Sequence, residues 1–156
     1  MVGEHRYTIG MVWNGNLGTG TSGYREYSRE LVVSAAGKHP IEGSADKPFR
    51  GDLSRWNPEE LLLAALAQCH LLSYLYVAVT VGVVVTAYED DANGTMVEDG
   101  NGSGAFTEVI LRPRVTVADA SMVDAAQAAH KRANELCFIA NSVNFPVRHE
   151  PVIVVG

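Results

Sequence analysis

The feature that most constrains this chain is one long apolar stretch, residues 57–76, which reads NPEELLLAALAQCHLLSYLY. Its first residues form a helix start, because the Asn57 side chain can cap a free backbone N–H and Pro58 needs no hydrogen bond at the first helical position. Glu59 and Glu60 favour the positive end of the helix dipole. The residues that follow are apolar on nearly every side, which predicts a helix buried all round.

A polar triplet, Gln68, Cys69 and His70, interrupts the apolar stretch. Polar groups inside an apolar helix are costly to bury, so Cys69 becomes a candidate functional residue. His70 points about 100° away from Cys69 around a helix, and the two therefore do not form a metal site. The other cysteine, Cys137, is too distant in sequence for a CxxC or zinc-ribbon motif, so we expect no metal.

The apolar run of residues 61–85 must also be considered as a membrane span, since about 20 apolar residues suffice to cross a bilayer. Polar residues lie in its middle, and no cluster of Lys or Arg follows it to set an orientation. We therefore expect a buried helix that leads into a strand, and no membrane partner. The formal net charge of −6 argues against a nucleic acid partner, which requires a basic surface. Residues 1–7 lack the apolar segment of a secretion signal, so we expect a cytoplasmic location.

At 156 residues the chain predicts a single domain over positions 1–156. Strand-like patterns occupy residues 5–13, 24–35, 83–89, 105–117 and 148–155. A second, alanine-rich helix begins at a cap on Asp119 or Ser121 and contains Cys137, while residues 38–56 and 90–104 have the composition of loops. The order ββαββαβ predicts an α+β fold in which a long central helix and a second helix pack on a mostly antiparallel sheet.

A cysteine becomes a nucleophile when a nearby cation lowers the pKa of its thiol. The candidate cations are Arg25 and Arg29 in the predicted second strand, and Arg50 and Arg55 in the loop before the long helix. Glu59 could orient one of these guanidinium groups. The alternatives are that the arginines are solvated surface charges and that both cysteines are inert, buried apolar residues.

Helix geometry adds a constraint on Glu59 and Cys69, which are ten positions apart. A regular helix separates such positions by about 15 Å along its axis, so the two side chains of one chain cannot meet. If both serve one site, the helix must pair antiparallel with the same helix of a second copy. This predicts a symmetric homodimer with composite sites at its interface.

The run NPEELLLAALAQCH resembles the central-helix signature of the OsmC/Ohr family of thiol-dependent organic hydroperoxide reductases. The segment AHKRANELCFIANS is similar to the part of that family that carries its second cysteine, and WNGNLGTGT resembles its first-strand turn. The resemblance covers essentially the whole chain. It implies an OsmC-like fold, an intertwined homodimer with two long central helices wrapped by sheet, and a two-cysteine peroxidase site at the interface.

The resemblance also implies roles for individual residues. Cys69 matches the peroxidatic cysteine, Cys137 the resolving cysteine, and Glu59 the carboxylate that holds a catalytic arginine. Family members usually carry a proline after the second cysteine, where this chain has Phe138, and this difference affects the backbone that closes the disulfide.

The catalytic arginine has two possible positions in the family. OsmC-like members carry it in the loop before the NPEE motif, which corresponds to Arg50. Ohr-like members supply it from the region of the second strand, which corresponds to Arg25 or Arg29. The sequence leaves the choice among the three open.

The reaction that the resemblance implies uses only protein thiols, with no bound metal or organic cofactor. An organic hydroperoxide oxidises Cys69 to a sulfenic acid, Cys137 condenses with it to a disulfide, and a dithiol of lipoyl type or a small thiol reduces that disulfide. Two alternatives keep the same fold: a module that binds a small ligand or senses redox state without turnover, and thiol chemistry on another electrophile.

Overall fold

The computed structural model describes residues 3–156, which form two compact units that divide between Leu61 and Leu62. The first unit contains a three-stranded antiparallel sheet in the order β1-β2-β3. Its strands are β1 (Gly10–Trp13), β2 (Leu31–Ser34) and β3 (Ile41–Gly43), and a 3-10 turn follows at Lys47–Phe49. The single domain expected over positions 1–156 stays a prediction.

The sequence predicts that the long helix starts at Asn57 and Pro58 and ends near Gly82, and α1 (Pro58–Thr80) begins and ends at those places. At its start, the Glu60 backbone N–H donates to Asn57 Oδ1 (2.8 Å), and the Asn57 backbone N–H donates to Glu60 Oε2 (3.3 Å). These two bonds form a capping box, which satisfies two backbone donors that the helix itself cannot satisfy. Just beyond the other end, Gly82 adopts φ +74°, a left-handed conformation that suits glycine and stops the helix.

The prediction that α1 is buried on every side is wrong for a single chain. Its buried residues form one stripe at helical spacing, which comprises Leu66, His70, Tyr74, Val77 and Ala78. Another stripe is exposed and apolar, and its members are Leu72, Leu75, Tyr76 and Val79. By length and composition α1 also meets the criterion for a membrane span.

The second unit contains two three-stranded sheets, in the orders β4-β7-β9 and β5-β6-β8. Their strands are β4 (Val85–Asp90), β5 (Asn93–Glu98), β6 (Gly104–Leu111), β7 (Pro113–Val117), β8 (Val147–His149) and β9 (Val152–Val155). The pairs β4–β7 and β5–β6 are antiparallel, whereas β6–β8 and β7–β9 are parallel. The α+β class is therefore confirmed, with sheets that are more mixed than predicted.

Two predicted strands each divide between the two sheets. The predicted strand 105–117 breaks at Arg112, and Pro113 begins β7, a position where a strand tolerates the missing N–H. The predicted strand 148–155 breaks in the same way at Glu150 and Pro151. Arg112 Nε lies 2.9 Å from Glu150 Oε2, so an ion pair links the two positions at which the chain passes from one sheet to the other.

Other strand boundaries also differ from the sequence prediction. The predicted loop 90–104 contains β5, which pairs with β6 as a hairpin. In the first unit, residues 24–30 are not part of a regular strand, because a turn closed by Glu26 N–H and the Gly23 carbonyl (3.0 Å) precedes β2.

The second helix, α2 (Val123–Leu136), follows a 3-10 turn that Asp119 caps by accepting the Ser121 backbone N–H (2.7 Å). Small side chains, Ala126, Ala129 and Ala133, let α2 approach α1 closely, and the Tyr74 hydroxyl donates to the Ala126 carbonyl (3.1 Å). Asp119 therefore caps the 3-10 turn and not α2 itself, whose N-cap residue, Met122, makes no side-chain cap hydrogen bond. The prediction that the second cysteine lies inside this helix is wrong, because α2 ends one residue before it.

Candidate functional site

The second unit brings the two cysteines of the chain into contact. Cys69 lies in the fourth turn of α1 and is half-buried, whereas Cys137 caps the C-terminal end of α2 and is 1% exposed. Both are free thiols, and their side chains lie close enough to interact. Burial, together with the neighbouring Cys69 side chain, raises the pKa of Cys137 to about 11, so near neutral pH Cys137 keeps its proton.

The position of Cys137 beyond the helix has a chemical consequence. The Ala140 backbone N–H donates to Cys137 Sγ (3.3 Å), and the turn that follows is held by the Asn141 N–H and the Cys137 carbonyl (3.0 Å). These contacts hold the second sulfur beside the first, in a chain segment where Phe138 follows the cysteine. Two thiols in contact, one partly accessible and one buried, can form a disulfide once the accessible one is oxidised.

The first unit contains a cleft of about 330 Å³ that two of the predicted site residues line, Arg29 and Glu59. The remaining lining residues are mostly apolar or aromatic: Trp13, Tyr27, Leu31, Ser44, Ala45, Asp46, Phe49 and Pro58. Arg29 and Glu59 therefore line one cleft, and the expectation that an arginine and Glu59 act in one site stays a prediction. No ion pair joins them among residues 3–156.

The Arg29 guanidinium is held by two tyrosines instead. Its Nη1 donates to the Tyr27 carbonyl (2.7 Å) and its Nη2 to the Tyr24 carbonyl (2.9 Å). Its Cζ lies 4.1 Å from the centroid of the Tyr27 ring and 4.4 Å from that of Tyr24. A regular strand would place Tyr24 and Arg29 on opposite faces, but the turn at Gly23 brings both aromatic rings to one cation.

The other predicted arginines lie elsewhere in the first unit. Arg50 is exposed, has a left-handed backbone (φ +63°), and its Cζ lies 6.0 Å from the Tyr24 ring centroid. Arg25 is exposed and, like Arg50, does not line the cleft described above. Arg55 pairs with Glu30 (3.4 Å) and Asp52 (3.8 Å).

Glu59 and Cys69 lie on the same continuous helix, α1. Because each residue of an α-helix advances the chain by 1.5 Å, their separation along the axis is about 15 Å. The expectation that Glu59 of one chain acts on Cys69 of a second copy stays a prediction.

Sequence reasoning missed two groups of side chains. The first is the aromatic surround of Arg29, in which Trp13 stacks edge-on against Tyr27 (5.9 Å between ring centroids). The alternation of Tyr and Arg in YREYSRE was a signal for it. The second is a cluster of the buried His70 and His130 with the half-buried His149, which come from three distant segments and carry no common sequence signal.

The described part of the chain, residues 3–156, contains no group of three His, Cys, Asp or Glu side chains that could hold a metal ion. The chemistry that the described residues offer is that of a thiol pair on one unit and an arginine–carboxylate cleft on the other. The fold and these groups define a class: an α+β protein whose long central helix presents a cysteine to a second, buried cysteine.

Comparison with known proteins agrees with that class. The sequence model of the OsmC-like protein family matches residues 51–151, so this chain belongs to the OsmC-like family. No curated protein matches the sequence. Among solved structures, an OsmC-like protein of unknown function from Vibrio cholerae is 29% identical, with a TM-score of 0.84, over 96% of this chain and all of the other.

Two more distant structures carry a functional description. An organic hydroperoxide resistance protein from Elizabethkingia anophelis is 19% identical over 98% of this chain and 99% of its own, with a TM-score of 0.68. An organic hydroperoxide resistance protein from Legionella pneumophila is 17% identical over 96% of this chain and 98% of its own, with a TM-score of 0.67. At these identities the likeness establishes the shared fold.

Proposed function

We propose that this protein is a thiol-dependent peroxidase that reduces organic hydroperoxides to alcohols. The observation that carries the proposal is the contact between Cys69 and Cys137, the two cysteines of the chain, at the meeting of α1 and α2. Membership of the OsmC-like family, and two structural neighbours described as organic hydroperoxide resistance proteins, support it.

The accessible sulfur takes the first step. The Cys69 thiolate attacks the distal oxygen of the hydroperoxide, the O–O bond breaks, and the alkoxide takes up a proton and leaves as the alcohol. Cys69 becomes a sulfenic acid, and sulfur is oxidised by two electrons. Cys137 is unsuited to this step, because it is 1% exposed and its raised pKa keeps it protonated.

The buried sulfur takes the second step. Cys137 attacks the Cys69 sulfenic acid, a S–S bond forms, and water leaves with the proton from Cys137. An external dithiol then reduces this disulfide, restores both thiols and becomes a disulfide itself. Because the two side chains are neighbours, little movement separates the sulfenic acid from the thiol that would resolve it.

Arg29 and Glu59 are the groups that we assign to peroxide activation. A guanidinium polarises the peroxide and stabilises a thiolate, and a carboxylate can hold that guanidinium by two parallel hydrogen bonds. In this assignment Arg29 moves from its contacts with Tyr24 and Tyr27 to pair with Glu59, which lines the same cleft. The apolar and aromatic lining of the cleft suits the organic part of an alkyl hydroperoxide.

A homodimer completes the proposed site. The exposed stripe Leu72, Leu75, Tyr76 and Val79 recurs at helical spacing along α1, and a second copy would remove this apolar surface from water. Antiparallel pairing of two α1 helices would also bring Glu59 of one protomer towards Cys69 of its partner. The helix geometry requires such pairing if the two residues act together.

The test is rapid mixing of the reduced protein with cumene hydroperoxide. We expect Cys69→Ser to abolish the fast consumption of peroxide. Cys137→Ser should keep the first step and accumulate a sulfenic acid on Cys69, which a dimedone adduct identifies by mass spectrometry. Fast peroxide consumption by the Cys69→Ser variant would overturn the assignment of the nucleophile.

A further inference from the structure

A buried hydrogen bond between two histidines ties together the two helices that carry the cysteines. His70, on α1, is 0% exposed, and His130, on α2, is 4% exposed. His70 Nε2 lies 3.0 Å from His130 Nδ1. Within residues 3–156 this is the one hydrogen bond that either ring makes, because His70 Nδ1 and His130 Nε2 have no partner there. Each imidazole therefore depends on the other to satisfy a buried polar group.

The protonation state of the two rings permits this bond. Burial lowers the pKa of His70 to about 3 and that of His130 to about 4, so both imidazoles are neutral near neutral pH. A neutral imidazole has one N–H donor and one acceptor nitrogen, so one ring can donate to the other in either of two tautomeric arrangements.

The histidine pair lies close to both sulfurs. His70 directly follows Cys69, and His130 precedes Cys137 by seven residues. Seven residues complete two turns of an α-helix to within about 20°, so His130 and Cys137 leave α2 on the same side. That side faces α1, because the partners of these two side chains are His70 and Cys69. The hydrogen bond and the thiol pair therefore belong to one contact between the helices.

The rest of this contact does little to fix the register of the two helices. Its α2 side is made of Ala126, Ala129 and Ala133. Alanine side chains form low ridges, which let two helices approach but resist a slide of one along the other only weakly. A hydrogen bond is directional and is lost once its heavy atoms separate beyond about 3.5 Å. Buried polar pairs of this kind are well suited to specify register.

Disulfide formation requires an accurate register. The Cα atoms of two joined cysteines lie about 4.4–6.8 Å apart. A slide of α2 by the rise of one residue, about 1.5 Å, would use more than half of that range. Cys137 is the C-cap of α2, so any slide or rotation of the helix moves its sulfur directly.

From these contacts we propose that His70 and His130 are positioning residues for disulfide formation. Their hydrogen bond holds α2 in the register that places Cys137 beside Cys69. The inference rests on the proposed function, because it assigns the pair to the second step of that cycle. In this role the rings act through the helices that carry them, and exchange no proton with the sulfurs.

Two substitutions of His130 separate the hydrogen bond from the packing of the ring. His130→Phe keeps an aromatic ring beside Tyr74, 4.1 Å between centroids in the parent, but removes the nitrogen that bonds to His70. His130→Asn loses the ring, while its amide can place an oxygen or an N–H near the position of Nδ1 and so match either tautomer of His70. If the hydrogen bond positions the thiols, Asn is the better replacement, whereas a role in packing alone favours Phe.

The first measurement follows sulfenic acid formation and disulfide formation after the reduced protein is mixed with cumene hydroperoxide. We expect His130→Phe to lower the ratio of the second rate to the first about tenfold, which corresponds to one buried hydrogen bond. His130→Asn should keep this ratio within about threefold of the parent. The matched control is Tyr74→Phe, which removes another buried hydrogen bond between α1 and α2, farther from the cysteines, and should change the ratio less than about twofold.

The second measurement does not depend on peroxide. In a glutathione buffer the two thiols form their disulfide, while oxidised glutathione takes up the two electrons and leaves as two molecules of reduced glutathione. The position of this equilibrium reports how well the fold holds the sulfurs together. We expect the parent and His130→Asn to favour the disulfide over His130→Phe about tenfold. This order in a protein that consumes no peroxide would overturn the proposed function and still support the positioning role.

Three results would overturn the positioning role. They are a His130→Phe variant equal to the parent, a larger loss in His130→Asn than in His130→Phe, and a loss in Tyr74→Phe equal to that in His130→Phe. The last would show that any loosening of the two helices impairs disulfide formation. If His130→Phe fails to fold, His130→Asn decides the question, because a tenfold loss in that variant contradicts the proposal and a value near that of the parent supports it.

Discussion

At the scale of single residues, the two cysteines differ in the ways that a peroxidase needs. Cys69 is partly accessible on α1, while Cys137 is buried and keeps its proton because burial raises its pKa. The long sequence separation of the two residues gives no indication that their side chains meet. Their roles could be inferred from the sequence only through the family resemblance, and the contact itself depends on the packing of α2 against α1.

The choice of the activating arginine can be tested by a pair of conservative substitutions. Arg29→Lys keeps the charge but removes the planar fork that pairs with a carboxylate, so oxidation of Cys69 by cumene hydroperoxide should slow about 10- to 100-fold. Arg50→Lys, on an exposed residue outside the cleft, should change the rate less than about threefold.

The control for both arginine variants is alkylation of Cys69 by iodoacetamide, which needs no polarisation of a peroxide. Its rate should fall much less than the rate of peroxide attack in Arg29→Lys. If Arg50→Lys proved the slower variant with peroxide, the catalytic arginine would be Arg50 and the cleft assignment would be wrong.

The buried histidines predict how stability depends on pH. Burial lowers the pKa of His70 to about 3 and that of His130 to about 4, whereas both titrate near 6.5 in the unfolded chain. Below that value the unfolded chain binds protons that the folded protein does not, so the free energy of unfolding falls as the pH drops from about 6.5 towards about 4.

Urea denaturation at about pH 7 and about pH 5 measures this loss of stability. We expect about 2 kcal/mol less stability at the lower pH for each of the two histidines. The His39→Gln variant, altered at an exposed histidine, should show the same dependence as the parent. A free energy of unfolding that does not change over this range would contradict the burial of neutral imidazoles.

At the scale of elements, α1 was the most predictable part of the fold and also the source of one error. Its capping box and terminal glycine are local signals, and both are present in the structure. The breaks at Pro113 and Pro151, where two predicted strands pass from one sheet to the other, were not predictable. The residues on both sides of each break have the same strand pattern, and the sheet that each segment joins depends on the distant strand with which it pairs. The apolar sequence of α1 predicted that the whole helix is buried. It could not show that a single chain leaves one apolar stripe exposed.

The exposed stripe of α1 gives a prediction about assembly. Val79→Glu places a charge in the middle of an apolar surface, at a side chain that is 78% exposed in one chain. Burying that charge in an interface is costly, so we expect the variant to be a monomer and the parent a dimer by light scattering coupled to gel filtration.

The matched variant is Val97→Glu on β5, which adds the same charge to another exposed valine. It should leave the dimer intact. A dimeric Val79→Glu variant would show that the stripe on α1 is not the interface, and a monomeric parent would remove the basis for composite sites.

At the scale of the whole molecule, the fold class and the family could be read from the sequence, and the comparisons bear both out. The histidine cluster and the aromatic surround of Arg29 could not, since each is assembled from residues that only the tertiary structure brings together. The proposed catalytic cycle would link these parts, since the middle of α1 would present the thiol and its first turn would present Glu59 to a second copy.

The most direct test of that cycle is to add one equivalent of cumene hydroperoxide to the fully reduced protein and map its cysteines by mass spectrometry. The proposed cycle predicts one equivalent of the alcohol, loss of both thiols and a disulfide between Cys69 and Cys137 within a single chain. Unreacted peroxide with both thiols intact, or a sulfinic acid on Cys69 beside a free Cys137, would contradict it.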